Sequence, residues 1–313
     1  MNLCNILEKF TLKNIDIVSA TCGPGLIGGV IVGSLVGRTI ASILNKPFIA
    51  VNHLEGHALT AVMTNNISFP FLLLLASGGH TQFIIVEGFG KYKIIGETID
   101  DAIGEAFDKV AKMLDMDFPG GKHVEKYALE GDEKRFNFPK PIYHQKNCDF
   151  SFSGLKTAVY TEIKKLIKEK YNNKNYTENE KGIVTIQDKK DICASFQYIV
   201  SEIIIKKTKN AVNIYEDILL KKNTNDINHN SLPKQLKKIV ISGGVASNKY
   251  LRNKLSKQFK DIMGYNLIAP PITLCTDNAA MIAFAGFSRF KNGITNTRSF
   301  KTRSNWRLEE VCY

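Results

Sequence analysis

The sequence predicts an α/β protein, and two observations lead to that prediction. The first is a strand–helix–strand–helix order near the start of the chain, which is typical of α/β folds. The second is a pair of glycine turns, at 77–79 and 242–244, each directly after an apolar strand. The length of 313 residues suggests one large domain or two lobes, and an apolar content of 44% is enough for a sizeable core.

The first four elements follow from runs of apolar and small residues. The segment IDIVSAT predicts a strand that ends in a Gly-Pro-Gly turn, and 28–44 predicts a helix rich in small residues. This helix contains Arg38, so it favours a tightly packed buried helix over a membrane span. FIAVN predicts a second strand, and the helix after it carries His53 and His57.

The middle and the end of the chain repeat the same elements. FPFLLLLASGGHTQFIIVEG predicts two apolar strands joined at a tight turn, and DDAIGEAFDKVAKMLDM predicts an amphipathic helix that FPGG ends. FSFSGLKTAVYTEIKKLIKEKY predicts an extended piece and then a helix, and KIVISGGVASNKYLRNKL and LIAPPITLCTDNAAMIAFAGFSRF each predict a strand, a loop and a helix. The polar, Lys- and Asn-rich segments 171–190 and 221–238 predict surface loops.

Charge and cysteine usage narrow the class of protein. A net charge of +12 suits an anionic partner such as nucleic acid, although the charge is spread out and an ordinary basic protein would show the same. The six cysteines form no C-x-x-C pair, which favours reduced thiols. Residues 1–10 lack the apolar core of a signal peptide, so we expect a cytoplasmic protein, or one of an organellar matrix.

The three glycine motifs differ in what they indicate. The first, from Gly23 to Gly28, matches G-x-G-x-x-G, but the next strand ends in Asn52 with no acidic residue for a ribose. A tight turn with close helix packing is therefore favoured over a dinucleotide site. The turns SGGHT and SGGVASN would let main-chain N–H groups approach phosphate oxygens, and two of them suggest a bound nucleotide. Asn248 in the last motif could bind a base or ribose.

His53 and His57 are four residues apart, so both imidazoles project from one face of a helix. This spacing suits a shared metal ion, and it also suits two histidines packed in a core. Glu55 follows His53 by two residues instead of one, about 200° around the helix, which disfavours a zincin-type metalloprotease. Asp277 in CTDNAAM is the best candidate for a third ligand, and a helix N-cap is the alternative for it.

A set of acidic residues lies on the amphipathic helix that starts near position 101. Asp101, Glu105 and Asp108 are spaced so that they share one face, which a solvated acidic surface would explain. Asp108 stands next to Phe107 in the apolar pattern, so it is the candidate for a functional role.

Together these motifs resemble one family. The stretches TCGPGLIGG, VNHLEGH, LLASGGHTQ, IDDAIGEAFDKVAKML, FPGG, DFSFSGLKTA, ISGGVASN and CTDNAAMIA occur in the order typical of the bacterial-type tRNA N6-adenosine threonylcarbamoyltransferases, the TsaD/Kae1/Gcp/OSGEP family. The resemblance implies an actin/Hsp70/sugar-kinase-like (ASKHA) fold with a nucleotide cleft between two lobes. It places the first lobe at 1–67 plus 278–313 and the second at 68–277.

The resemblance also implies an activity. It is the transfer of the threonylcarbamoyl group from threonylcarbamoyl-AMP to N6 of adenosine 37 in tRNAs that read ANN codons, with TsaB- and TsaE-like partner proteins and no membrane. One divalent metal ion, usually iron and otherwise zinc, would be bound by His53, His57 and Asp277. The substrate-binding positions would be Leu75, Ala76, Ser77, Gly78, Gly79, Asp108, Gly121, Glu125 and Asn248. No general base can be named from the sequence.

The family's opening strand, similar to ILGIETSCDDT, has no counterpart here, so we expect the first lobe to be truncated at its N-terminus. Three alternatives to the implied activity stay open. One is an inactive or scaffold-only homologue that docks through the helix at 28–43, another is an ATPase or sugar kinase of the same fold, and the third is a metalloprotease.

Overall fold

The computed structural model describes residues 11–172, 184–222, 233, 236–296 and 299–311. The chain divides into two compact units. The first unit contains Met1–Pro70, Val86–Lys93 and Thr276–Tyr313, and the second contains Phe71–Ile85 and Ile94–Cys275. Asp277 thus lies in the first unit, together with both histidines. In the part of the chain that the structure describes, no helix is long and apolar enough to cross a membrane.

Strands and helices alternate at both ends of the described residues, whereas the middle has three consecutive strands followed by four consecutive helices. The strands are β1 (Val18–Gly23), β2 (Phe48–Asn52), β3 (Phe71–Ala76), β4 (Thr81–Gly88), β5 (Lys91–Glu97), β6 (Lys238–Ser242) and β7 (Asn266–Ile268). The helices are α1 (Ile27–Ile43), α2 (His53–Asn65), α3 (Ile103–Met113), α4 (Gly120–Ala128), α5 (Ser153–Asn172), α6 (Ile186–Lys222), α7 (Lys249–Met263) and α8 (Ala279–Lys291).

The first unit is built around the parallel pair β1–β2, in which Val18 lies opposite Phe48. Strand β2 is buried at every position, as the continuous apolar run FIAVN requires. The last part of the chain completes this unit, because Asn296 bridges to Phe48 and its side chain accepts a hydrogen bond of 2.9 Å from the main chain of Ala50.

Helix α1 differs from the prediction of a buried helix. Only one stripe, Val30, Ser34, Gly37 and Ala41, is buried, and Gly37 allows a close approach to β1 and β2. The other faces leave large apolar side chains in solvent, for example Val32 at 64% exposure. The sequence is apolar on more faces than the two strands can cover, and for that reason its hydrophobicity overestimated its burial.

The second unit contains a five-stranded sheet in the order β5-β4-β3-β6-β7. Strands β3 and β6 are parallel neighbours, with Leu72 opposite Ile239 and Leu75 opposite Ser242. The carboxyl ends of these strands therefore lie side by side at one edge of the sheet. Both glycine turns, which the sequence places in separate halves of the chain, follow those ends.

The two predicted loops are wrong over part of their length. Helix α5 continues to Asn172, and the 37-residue α6 begins at Ile186 and ends at Lys222. The polar start of α6 belongs to a helix because apolar residues farther along it are buried in the core at helical spacing. These residues are Ile192, Phe196, Ile199, Val200 and Ile203. The remaining segments, 173–183, 223–232 and 234–235, lie outside the described residues.

Candidate metal centre and substrate-binding turns

Helix α2 begins directly at the end of β2, and Asn52 fixes that junction. Its side-chain oxygen accepts a hydrogen bond of 2.9 Å from the main chain of Leu54, which caps the helix. Its Nδ2 donates to the carbonyl of Trp306 at 2.9 Å. Because Asn52 is fully buried, the first two turns of α2, which carry the histidines, have a defined position.

The side chains of His53, His57 and Asp277 converge. Nε2 of His53 lies 3.3 Å and Nε2 of His57 lies 3.1 Å from Oδ1 of Asp277. One ligand atom from each residue falls within 4.8 Å of the others. The His57 side chain is completely buried, whereas the Asp277 side chain is 76% exposed, so solvent reaches the cluster at the carboxylate.

The electrostatics of this cluster suit a cation. Hydrogen bonds from His53, and then from His57, hold the pKa of the Asp277 carboxyl well below its usual range. The carboxylate is therefore ionised at neutral pH, which is the form that binds a metal. Two imidazole nitrogens and one carboxylate oxygen form a donor set for a divalent transition metal that leaves coordination positions open. The residues fit the expected metal ion.

The N-cap alternative for Asp277 is wrong, because the next residue does that work. The Oδ1 atom of Asn278 accepts a hydrogen bond of 2.9 Å from the main chain of Met281 and caps α8. The Asp277 side chain is consequently left to the histidines, and the start of α8 is stabilised independently of it.

Glu55, between the two histidines, points away from them into the core. It is fully buried, and it accepts hydrogen bonds from the Tyr92 hydroxyl at 3.1 Å and from Nη1 of Arg289 at 3.2 Å. Arg289 belongs to α8, so the ion pair joins the histidine helix to the helix that follows Asp277. At Gly56 a Cβ would lie 2.9 Å from the Cδ1 atom of Ile282, so a larger residue would force that side chain to move.

Sequence reasoning excluded Glu55 as a protease base but did not find its partner. The available signal was one arginine in the otherwise apolar and small-residue stretch AMIAFAGFSRF, where an unpaired charge would be costly to bury.

In the second unit the two glycine turns touch. The Ser77 hydroxyl accepts a hydrogen bond of 3.1 Å from the main chain of His80 and closes the first turn. Gly243 adopts φ +93°, and a Cβ there would lie 2.4 Å from the Ala76 carbonyl oxygen. Leu75 and Ala76, which lead into the first turn, are fully buried at the end of β3.

The exposed part of the first turn is open. Gly78 and Gly79 are solvent-exposed, and no atom lies within 4 Å of a Cβ built on either residue. Their main-chain groups can therefore be approached closely by a ligand.

Asp108 lies beside the first of these turns. Its Oδ1 accepts a hydrogen bond of 2.7 Å from the main chain of Gly120 at the start of α4. Asp108 and Gly120 line a cavity of about 280 Å³ together with Gly78. The structure thus brings two of the predicted substrate positions, Gly78 and Asp108, to the same cavity.

The remaining substrate positions meet where α4 approaches α7. Oε1 of Glu125 accepts a hydrogen bond of 2.7 Å from the main chain of Lys249, and Gly121 lies one turn earlier on α4. Asn248 is the N-cap of α7, and its Nδ2 donates to Oε1 of Gln197 at 2.7 Å. The Asn248 amide is thus engaged on both sides, and Gln197, which orients it, was not found from the sequence.

Comparison with known proteins identifies the family. The model of the TsaD family, described as tRNA N6-adenosine threonylcarbamoyltransferase, matches residues 5–284. The chain belongs to this family. It is 55% identical over 307 residues to the tRNA N6-adenosine threonylcarbamoyltransferase of Rickettsia bellii (strain OSU 85-389), covering 98% of this chain and 82% of that protein. The enzyme of the same name from Rickettsia rickettsii (strain Sheila Smith) is 52% identical over 311 residues, with 99% and 82% coverage.

Solved structures support the predicted fold. HypF from T. kodakarensis aligns with this TsaD-family chain at a TM-score of 0.55 and 12% identity, over 93% of this chain and 42% of that one. Full-length HypF in its phosphate- and nucleotide-bound form aligns at a TM-score of 0.50 and 14% sequence identity, over 82% of this chain and 38% of that one. At this identity the likeness concerns the fold alone, and it confirms the ASKHA-type α/β class.

Proposed function

We propose that this chain transfers the threonylcarbamoyl group from threonylcarbamoyl-AMP to N6 of adenosine 37 in tRNAs that read ANN codons. The observation that carries the proposal is the convergence of His53, His57 and Asp277 in a member of a family named for this transfer. The rival ATPase, kinase and scaffold functions have no comparable support, since the HypF likeness concerns the fold alone.

In this proposal His53, His57 and Asp277 hold one divalent ion, with iron favoured and zinc as the alternative. The bound ion would supply Lewis-acid polarisation and a template for the threonylcarbamoyl group. The chain's own part is to keep the three donor atoms in place. The capped start of α2 and the buried pair between Glu55 and Arg289 serve that purpose.

The second unit is proposed to hold the adenylate. Main-chain N–H groups of Gly78 and Gly79 donate to its oxygens, in the turn that begins at Ser77 and follows the buried strand residues Leu75 and Ala76. Asp108 contributes a carboxylate acceptor beside the same turn. Gly121, Glu125 and Asn248 form the further substrate contacts, where α4 meets α7.

The chemistry itself is one bond exchange. The N6 nitrogen of adenosine attacks the carbamoyl carbon, the bond from that carbon to the phosphate oxygen breaks, and AMP leaves with the electron pair while N6 loses one proton. The exocyclic amine is a weak nucleophile, so much of the acceleration must come from holding it against the donor. In this proposal main-chain N–H groups, and Lys112 at the edge of the Asp108 cavity, stabilise the leaving anion.

Partner proteins are part of the proposal. Helix α1 presents large apolar side chains to solvent, including Leu35 at 59% and Ile43 at 78% exposure. Exposed apolar surface of this kind typically marks a protein interface, which supports binding of TsaB- and TsaE-like proteins. A tRNA substrate supports a cytoplasmic or organellar-matrix site of action.

The test is formation of threonylcarbamoyladenosine in a tRNA that reads an ANN codon. The purified chain, with and without its partner proteins, is incubated with threonylcarbamoyl-AMP and Fe²⁺, Zn²⁺ or a chelator, and nucleosides are quantified by mass spectrometry. We expect product that requires adenosine 37 and the metal, that is lost in Asp277→Asn, and that persists in His144→Ala, a histidine outside the cluster. Absence of product under every condition, or turnover of ATP in its place, would refute the proposal.

A further inference from the structure

A broad groove of about 830 Å³ lies between α4 and the first half of α7 in the second unit. Its walls carry five lysines and two glutamates, which gives the lining a net charge of +3. The lysines are Lys122, Lys126, Lys249, Lys254 and Lys257.

Lysines lie on both walls of the groove. Lys122 and Lys126 are four residues apart on α4, and Lys249 and Lys257 are eight apart on α7, so each pair shares one helix face. Four residues of helix span about 6 Å. The groove therefore has two or more lysines on each side, which suits an extended anionic chain better than a single small anion.

Of the five lysines, Lys254 is ion-paired at 3.6 Å with Glu202, which is not part of the groove lining. Within the described residues no ion pair involves Lys122, Lys249 or Lys257, and all three are solvent-exposed. Glu130, whose carboxylate interacts electrostatically with Lys126, is ion-paired with Lys190 at 2.5 Å. The two glutamates of the groove are hydrogen-bonded within its lining, Glu125 to the main chain of Lys249 and Glu133 to the Tyr250 hydroxyl, and both are included in the net charge of +3.

Helix α7 is itself charged against its own dipole. It begins with Lys249, has no acidic residue in its first turn, and carries basic residues at 252, 254, 257 and 260 before its one aspartate, at 261. Cations near a helix N-terminus are unfavourable because that end is already positive. An anionic partner in the groove would relieve this repulsion.

We propose that this groove binds the sugar–phosphate backbone of RNA. The proposal rests on the tRNA-modifying function above, and it gives that function a place where the substrate is held. The groove contains Glu125 and adjoins Gly121 and Asn248, so an RNA strand in it would lie next to the proposed adenylate contacts. Lysines contact phosphates without reading the sequence, so binding would be strongly dependent on salt.

The experiment measures the affinity of the full-length chain for a tRNA transcript by fluorescence anisotropy at several salt concentrations. Two double variants are compared with the wild type, Lys122→Gln/Lys126→Gln and Lys249→Gln/Lys257→Gln. The matched control is Lys164→Gln/Lys168→Gln, which removes two exposed lysines with the same four-residue spacing from α5. Circular dichroism in urea verifies that all variants fold.

Each groove variant is expected to bind tRNA roughly five- to tenfold more weakly, with the slope of log Kobs against log salt reduced by about 1.5 to 2. The control should match the wild type in both quantities. Equal affinities and slopes for the groove variants and the control would overturn the proposal. Polyglutamate serves as the competitor that imitates an acidic protein. If it displaces tRNA at equal charge concentration, and the groove variants lose binding to polyglutamate but keep binding to tRNA, the groove binds an acidic protein and the proposal is overturned.

Failure of the groove and failure of the function are distinguishable. If the chain binds tRNA through these lysines but forms no threonylcarbamoyladenosine, the proposed groove is supported and the proposed function is refuted. If the wild type and both groove variants modify tRNA with the same KM, the proposed function is supported and the proposed groove is refuted.

Discussion

Replacing Glu55 by glutamine is expected to destabilise the first unit far more than replacing an exposed glutamate of the same unit. Glu55 has 0% and Arg289 4% of its surface exposed, and their charged groups are 3.2 Å apart. The substitution leaves the Arg289 guanidinium buried without its carboxylate, which costs about 3–5 kcal/mol. In the control, Glu310→Gln, the partner Arg303 is 47% exposed, so the cost is about 1 kcal/mol or less.

The molecule carries its own probe for this measurement. Trp306 is the one tryptophan of the chain, belongs to the first unit and is 3% exposed. Its carbonyl is bonded to Asn52 at the start of the histidine helix. Trp306 fluorescence followed through a urea titration therefore reports the unfolding of the unit in which the substitution is made.

A second variant separates stability from geometry. In Glu55→Met/Arg289→Met both charges are replaced by apolar groups, so most of the lost stability should return. The pair that holds α2 and α8 in register is nevertheless gone, and we expect Co²⁺ affinity, measured by its visible absorption, to fall by about tenfold. If Glu55→Gln unfolds at the same urea concentration as the wild type, the buried ion pair does not stabilise the unit. If the double variant binds Co²⁺ with wild-type affinity, the pair does not position the metal ligands.

Three further predictions concern other parts of the two units. His57→Ala should reduce Co²⁺ affinity by about 100-fold or more, since it removes a buried ligand, while His144→Ala should leave the affinity unchanged. Equal Co²⁺ affinities of the two variants in calorimetric titrations would contradict the proposed metal centre. Gly243→Val should lower the free energy of unfolding by about 1–3 kcal/mol because φ is positive and a neighbouring carbonyl occupies the Cβ position, whereas Gly244→Ala, with open space, should unfold in urea as the wild type does. Asp108→Asn should weaken threonylcarbamoyl-AMP binding by about tenfold and leave Co²⁺ affinity intact, and unchanged binding of the adenylate would remove Asp108 from the site.

Local signals allowed much of the fold to be predicted from the sequence. Apolar runs bounded by glycine placed β3, β6 and their turns, and the pattern in VNHLEGH placed the histidine helix. The sequence also brought His53 and His57 together with Asp277, because the family motifs supply that pairing although 220 residues separate His57 from Asp277. The sequence could not predict which side chains are buried, because burial depends on the elements that pack against each face of a helix or strand.

The misses share that physical cause. Helix α1 is apolar enough to be buried, but the structure leaves most of its large side chains in solvent. The polar start of α6 resembled a loop because the residues that bury this helix come later along it. The ion pair of Glu55 joins residues 234 positions apart, and neither carries a local signal for the other.

The first unit is formed by segments that are far apart in the sequence, so the ribosome synthesises its parts at different times. The histidine helix leaves the ribosome before the whole second unit, and Asp277 follows His57 by 220 residues. At a synthesis rate of about 5–20 residues per second, roughly 10–45 s pass between the second imidazole and the carboxylate. During that interval the nascent chain holds two histidines without their third donor, and Glu55 lacks Arg289, the partner with which it is later buried. The centre can be completed only after the inserted unit has been made.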